Sequence, residues 1–239
     1  MRAIILAAGR GSRLNNITKD KPKCLVEINK KTLLERQIDT FKKSNIIKIS
    51  IVKGYLHEKI INKDITKEFF NDSWMDTNMV YSLTKASKWL NESDNIISYG
   101  DIFYSKKILN NLIEEKNDIV ISYDHNYKYL WEKRFENPLI DLETFVIDEN
   151  GFLLEVGNKP KNYEKINGQY MGLLKITKIG WLKIKSILDE LDYKNMDMTT
   201  LLNTLIKRNI KIKAIKNVGI WGEIDTEEDI KVYEETHEI

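Results

Sequence analysis

The beginning of this 239-residue chain constrains its fold most. Arg2–Ala7 is an apolar run that passes directly into Ala8-Gly9-Arg10-Gly11-Ser12-Arg13. A continuous apolar segment ended by glycine reads as a strand buried on both faces, the pattern of a parallel sheet covered by helices. Such a strand delivers the residues that follow it to the carboxyl edge of the sheet, where open α/β folds bind ligands.

The rest of the first half alternates strand and helix. Residues 32–44 carry Leu33, Leu34, Ile38 and Phe41 at helical spacing, and residues 46–52 are β-branched. Residues 55–61 read as a short helix and 66–70 as a short strand. Residues 78–90 form one helix with a stripe through Val80, Leu83 and Ala86. Asn95–Tyr99 is a strand that ends at Gly100-Asp101. Ser105 N-caps a helix through Glu115, and residues 118–123 are again strand-like. This alternation predicts a mostly parallel sheet with helices on both faces.

The second half is less regular. Residues 143–147 and 152–156 form a hairpin around Gly151, and Gln169–Ile176 is a strand. Helices are expected at 179–191 and 198–208, strands at 211–218 and 221–224. Thr226 caps a last helix with Glu228 and Asp229 in its first turns. With no Gly/Pro/Ser linker and no repeat, residues 1–239 read as one domain, and residues 124–165 as an insertion that covers a site.

Lys plus Arg is 38 and Asp plus Glu is 36, a net charge of +2. That balance gives no electrostatic case for a nucleic-acid partner. One cysteine, Cys24, makes no internal disulfide, which fits a reducing cytoplasm; it reads as a small buried hydrophobe. No stretch of about 20 apolar residues exists, so no membrane insertion is expected.

Chemistry-bearing residues gather in three places. The loop Gly9-Arg10-Gly11-Ser12-Arg13 is either a plain turn or a backbone cradle for phosphate, with the Arg13 guanidinium as a fork for phosphate oxygens. It is not a dinucleotide fingerprint, because Leu14 stands where a third glycine is needed, and it lacks the Gly-Lys-Ser/Thr of a P-loop. Lys21-Pro22-Lys23 alone is a solvated turn; beside the glycine loop, Lys23 can turn back toward the same phosphates. Asp101 is either a turn residue or, at a strand's carboxyl end, a ligand for Mg²⁺. Near the end, Glu223-Ile224-Asp225 places two carboxylates on one strand face. His57, His125 and His237 show no metal-ligand spacing.

The pattern from Leu6 through Leu25 resembles the signature of the sugar-phosphate and choline-phosphate nucleotidyltransferases. The resemblance spans nearly the whole chain and thins between Lys53 and Ser73. It implies a three-layer α/β/α nucleotidyltransferase (Rossmann-like) sandwich with a predominantly parallel mixed sheet. It implies that Leu6, Ala7, Ala8, Gly9, Gly11, Ser12, Arg13 and Gly100 wrap a nucleotide, that Arg13 and Lys23 hold its triphosphate as the catalytic cations, and that Asp101 and Asp225 converge on one Mg²⁺. The segment Asp76-Thr77-Asn78-Met79-Val80-Tyr81-Ser82-Leu83 resembles the Asn-x-x-x-Ser stretch of the cytidylyltransferase branch, which sets Asn78 and Ser82 beside the pyrimidine; Asn78 or Thr77 equally serves as a helix cap.

Residues 130–143 resemble a segment of bacterial enzymes that cytidylylate phosphocholine-like or phosphoglutamine-like acceptors for surface decoration. There Trp131 faces an amine, Arg134 holds the acceptor phosphate and Asp141 or Glu143 pairs with the ammonium; a surface loop with a buried Trp is the alternative. Tyr170, within Gln169-Tyr170-Met171-Gly172-Leu173, matches the same branch as an acceptor residue. The resemblance therefore implies Mg²⁺-dependent transfer of CMP from CTP to a small phosphorylated amine, amino acid or phosphonate. The other readings are a sugar-1-phosphate nucleotidyltransferase and a catalytically inactive nucleotide-binding subunit. An oligomer is left open.

Overall fold

The computed structural model describes residues 1–14 and 16–235; His237 lies outside the described residues. Seven strands form the central sheet: β1 (Arg2–Ala7), β2 (Ile49–Lys53), β3 (Ile65–Phe70), β4 (Asn95–Tyr99), β5 (Ile119–Asp124), β6 (Gln169–Ile176) and β7 (Lys213–Lys216). Their order is β7-β5-β6-β4-β1-β2-β3. β6 runs antiparallel to both β4 and β5, and every other pairing is parallel. The exception has a simple cause. Asp124 pairs with Gln169, so the chain leaves and re-enters the sheet at the same edge, and the connection between them, which includes the helix Tyr127–Arg134, does not carry it to the opposite edge.

Among the described residues, eight α-helices flank or close this sheet: α1 (Leu33–Lys43), α2 (Met79–Thr84), α3 (Ser87–Glu92), α4 (Lys106–Glu114), α5 (Tyr127–Arg134), α6 (Lys178–Leu188), α7 (Met198–Lys207) and α8 (Glu227–Glu235). β1 shows how the layers arise. Ala3, Ile5 and Ala7 pack with Leu34, Ile38 and Phe41 of α1 and Leu109 of α4. Ile4, Leu6 and the following Ala8 pack with Val80, Leu83, Trp181 and Leu201 from the other layer. The period of two in an unbroken apolar run thus supplies both cores at once. No helix of the described residues is long and apolar enough to cross a membrane.

Local chemistry sets the helix ends. Thr32 and Glu35 form a reciprocal capping box on α1. Thr226 and Asp229 do the same for α8: Asp229 Oδ2 accepts from Thr226 N at 2.8 Å, and Thr226 Oγ1 accepts from Asp229 N at 3.3 Å. Ser105 occupies the cap position of α4 without a side-chain cap bond. The single helix expected over 78–90 is divided between α2 and α3. Thr84 Oγ1 donates to Tyr81 O and Ser87 Oγ to Thr84 O, and the backbone tightens to three-residue turns at Lys85 and Ala86. Hydroxyls that bond back to the preceding turn compete with helix continuation. The short helix expected at 55–61 is a 3₁₀ turn, His57–Lys59.

One buried polar side chain ties this frame to the carboxyl edge. Gln37 interrupts the apolar stripe of α1. Its Nε2 donates to Tyr99 O at 2.8 Å and Ile102 O at 2.7 Å, and its Oε1 accepts from Ser98 Oγ at 2.8 Å. The two carbonyls bracket Gly100-Asp101. Gln37→Leu is therefore expected to lower stability by about 2–3 kcal/mol through groups left unpaired in the core. Urea denaturation checks this, and an unchanged midpoint removes Gln37 as the brace of that turn.

Candidate active site

Two close approaches build the site at the ends of β1 and β4. Gly100 N donates to Leu6 O at 2.9 Å, and a Cβ at Gly100 would meet that same oxygen at 2.9 Å. Only glycine lets the turn after β4 settle on the end of β1. Gly11 has φ +69°, and a Cβ there would meet Lys23 Cδ at 2.7 Å. The glycine loop is thus the floor across which the Lys23 stem lies. Pro22, at φ −60°, starts the 3₁₀ turn Lys23–Leu25 that aims it. The loop is pinned from outside by Tyr55, whose N–H donates to Ala8 O at 2.9 Å and whose hydroxyl donates to Lys19 O at 2.7 Å.

The far carboxylates arrive on a second, two-stranded ladder. Trp221–Glu223 pairs antiparallel with Ile102–Tyr104, and Ile224 N donates to Asp101 O at 3.0 Å. This brings together Asp101, Glu223 and Asp225, and one carboxylate oxygen from each lies within 4.8 Å of the other two. Among the described residues it is the one cluster of three or more Asp, Glu, His or Cys side chains so arranged. Lys23 Nζ stands between two of them, 2.7 Å from Asp101 Oδ2 and 2.7 Å from Asp225 Oδ1. Arg13 Nη2 lies 2.8 Å from that same Asp225 Oδ1, with its side chain 63% exposed.

Electrostatics follow from this packing. Burial by itself would lower the Lys23 ammonium, but Asp101 and Asp225 outweigh it and hold the group above its ordinary value. Burial would raise Asp225, yet Lys23, Arg13 and Arg134 keep it below the usual carboxylate range. Glu223 is pushed up to about 8, first by burial and then by Asp225 and Asp101. The Cys24 thiol is buried and pushed up to about 12, mainly by desolvation, which leaves it an inert apolar contact.

The glycine loop, Lys23, Gly100 and Asp101 surround a cavity of about 280 Å³. Leu6, Ala7, Gly9, Gly11, Ser12 and Arg13 line it, together with Met79 and Tyr99. A smaller hollow of about 100 Å³ continues from it past Leu6, Gly9 and Met79 and is lined by Ala8, Asn78 and Ser82. The helix-cap reading of Asn78 is seen directly, since its Oδ1 accepts from Met79 N at 2.7 Å at the start of α2; the residue also lines the hollow. Ser82 Oγ accepts from Asn71 Nδ2 at 3.0 Å.

The residues expected at 131–143 as acceptor contacts have partners inside the fold, and one of them, Arg134, reaches the carboxylate cluster. Trp131 is 5% exposed, and its Nε1 donates to Asp141 Oδ2 at 2.9 Å. The cation over its ring is Arg134, at 5.3 Å. Arg134 is bound in turn to Asp229 and Asp225. The Arg134 guanidinium nevertheless keeps Nη1 buried without a hydrogen-bond partner. Glu143 is clasped through its backbone by the Gln169 amide, and its carboxyl is raised by burial and then by Asp197 and Asp141. Tyr170 stands edge-on behind Tyr99, with ring centroids 5.8 Å apart.

The donors present suit a divalent cation. All are carboxylate oxygens, as a hard ion requires, and Asp101 Oδ1 is buried without a hydrogen-bond partner. Asp101 and Asp225 can hold such an ion, with Glu223 as a third ligand. Sequence reasoning had noticed Glu223 but left it outside the pair; its alternation with Asp225 was the available signal.

Fold and site together define a nucleotide-handling α/β enzyme. Residues 3–144 match the MobA-like NTP transferase domain, and the chain belongs to that family. It is therefore an enzyme of the nucleotidyltransferase class. A CTP:phosphoglutamine cytidylyltransferase from Campylobacter jejuni is 38% identical, over 97% of this chain and 98% of its own length. A choline-phosphate cytidylyltransferase from Streptococcus pneumoniae is 41% identical over 108 residues, covering 41% of this chain and 46% of its own. Among solved structures, the inositol-1-phosphate CTP transferase of T. maritima superposes with a TM-score of 0.78 at 20% identity, covering 98% and 93% of the two chains. The CTP:phosphocholine cytidylyltransferase of Streptococcus pneumoniae superposes at 0.75 and 22% identity, covering 98% of each. At those identities the structures speak for the fold.

The carboxyl cluster makes a pH-dependent prediction. The folded value of Glu223, about 8, lies above its ordinary 4.5, so its contribution to stability is lost as pH rises through that interval. In metal-free protein, the melting temperature of the wild type should fall more than that of Glu223→Gln between those limits. Parallel profiles by scanning calorimetry would show that Glu223 is not held protonated.

Proposed function

We propose that this protein transfers CMP from CTP to a small phosphorylated amine, amino acid or phosphonate, with Mg²⁺, and releases pyrophosphate. The observation that carries this reading is the meeting of Lys23 and Arg13 with Asp101 and Asp225 at the mouth of the glycine loop. The near-full-length similarity to a phosphoglutamine cytidylyltransferase supports CTP as the nucleotide and makes phosphoglutamine the first acceptor to try.

The chemistry requires two anions to meet. An acceptor phosphate oxygen forms a bond to the α-phosphorus while the bond to the bridging oxygen breaks. Pyrophosphate leaves with that oxygen and its electron pair. An ionised phosphate is already a nucleophile, so no side chain has to remove a proton. The glycine loop backbone and Ser12 cradle the nucleotide, with Asn78 and Ser82 in the adjoining hollow as candidates to meet the base. Arg13, exposed at the rim, and Lys23, at the floor, offset the repulsion and stabilise the charge that develops in transfer. When bound between Asp101 and Asp225, Mg²⁺ adds further neutralisation of the triphosphate. In the free protein the Lys23 ammonium already lies between those two carboxylates. Asp101 and Asp225 would hold such a cation, and Lys23 between them would add its positive charge beside the phosphates.

Pyrophosphate release tests the substrate reading. CTP, UTP, ATP, GTP and dTTP are offered against phosphoglutamine, phosphocholine, phosphoethanolamine, 2-aminoethylphosphonate and glucose-1-phosphate. CTP with one amine-bearing acceptor is expected; turnover with the hexose phosphate alone would move the protein to the sugar-nucleotide branch. Asp101→Ala should abolish turnover in folded protein. Lys23→Met should also abolish it, yet bind Mn²⁺ about tenfold more tightly than wild type in the absence of nucleotide, since a competing cation is gone. Manganese EPR reads this, and equal affinity would mean that Lys23 does not occupy the metal position.

A further inference from the structure

We propose that Arg134, acting with Asp229, is a positioning residue for Asp225 and couples helix α5 to the cation site. The inference rests on the reading of Asp101 and Asp225 as cation ligands. The Arg134 side chain is 2% exposed. Its Nε lies 2.7 Å from Asp229 Oδ1 and its Nη2 3.1 Å from Asp229 Oδ2, a two-pronged pair that fixes the guanidinium plane. The same Nη2 reaches Asp225 Oδ2 at 3.4 Å. Asp229 Oδ2 also accepts the backbone N–H groups of Asp225 and Thr226, each at 2.8 Å.

The two oxygens of Asp225 therefore have different surroundings. Oδ2 faces Arg134 within the fold, and Oδ1 faces Lys23 and Arg13. Arg134 and Asp229 thus set both the main chain and the carboxylate plane of Asp225, leaving Oδ1 as the oxygen offered to a cation. Groups behind a metal ligand that orient it in this way typically change metal affinity 10–100-fold when removed. The link is also long-range in sequence. Arg134 ends α5, whose Trp131 is tied to Asp141, whereas Asp229 lies in the first turn of α8. A shift of α5 toward or away from an acceptor would change the aim of Asp225.

The test measures Mn²⁺ binding by EPR in the presence of a non-reactive CTP analogue, beside steady-state KM values for Mg²⁺ and acceptor. Arg134→Gln should weaken Mn²⁺ binding at least about 10-fold and raise the Mg²⁺ KM. The acceptor KM should move much less. Arg134→Lys keeps the charge without the fork and should fall between. Should Arg134→Gln fail to fold, the double variant Arg134→Met with Asp229→Asn leaves no lone buried charge and should show the same loss. Unchanged Mn²⁺ affinity in folded variants, with only a lower melting temperature, would overturn the proposal. So would a raised acceptor KM with unchanged metal constants, which would give Arg134 to the acceptor phosphate. If no cytidylyl transfer is found but Mn²⁺ affinity falls as stated, the functional reading fails and the positioning role stands.

Discussion

The structure depends on charges that neutralise one another where two ladders meet. Asp101 comes from the turn after a central strand, and Asp225 from just beyond the small ladder near the end of the described chain. Three carboxyl groups crowd together there, and their proximity and burial hold Glu223 protonated up to about pH 8 while Asp101 and Asp225 face each other as charges. Lys23, Arg13 and Arg134 make the cluster tolerable, each approaching from a different segment. Removing one partner from such a set leaves an uncompensated buried charge, which costs far more than the net value of any pair. The same charges therefore fix how the chain segments meet at this edge of the fold.

That arrangement needs exact placement of backbone more than special side chains. Gly100 settles on Leu6 O, Gly11 passes beneath the Lys23 stem, and Gln37 holds the carbonyls on either side of Asp101. β1 makes this possible because both of its faces are buried, which gives the site a rigid base. Sites supported by such scaffolds keep their geometry without a ligand, an advantage where catalysis rests on preorganised charge.

Much of this was legible in the sequence wherever the signal was local. The bounds of Arg2–Ala7, Asn95–Tyr99 and Gln169–Ile176 follow from apolar runs and their punctuation, because burial on both faces leaves a continuous pattern. The glycine loop and Lys23 were local signals as well, and the structure brings them together around one cavity. What was hidden was partner choice across the chain. Arg134 reads as a ligand for phosphate until Asp229, 95 residues later, is seen beside it. Trp131 reads as a cation receptor, and the cation over its ring is the chain's own Arg134. The division of residues 78–90 was hidden because hydroxyl back-bonding acts against an otherwise good apolar stripe. The direction of β6 depends on where the intervening chain returns, which no periodicity encodes.

The position of Lys23 in the free protein has a bearing on how the resting state meets its medium. Its ammonium is a counterion attached to the chain, with the side chain 12% exposed and carboxylates at 2.7 Å on two sides. Mobile salt ions weaken interactions over about 8 Å at physiological ionic strength but act little on pairs in contact and shielded from solvent. The Lys23 pairs are therefore little affected by added salt. Arg13, 63% exposed at the rim, has no such protection, so ionic strength should weaken its pair with Asp225 well before those of Lys23.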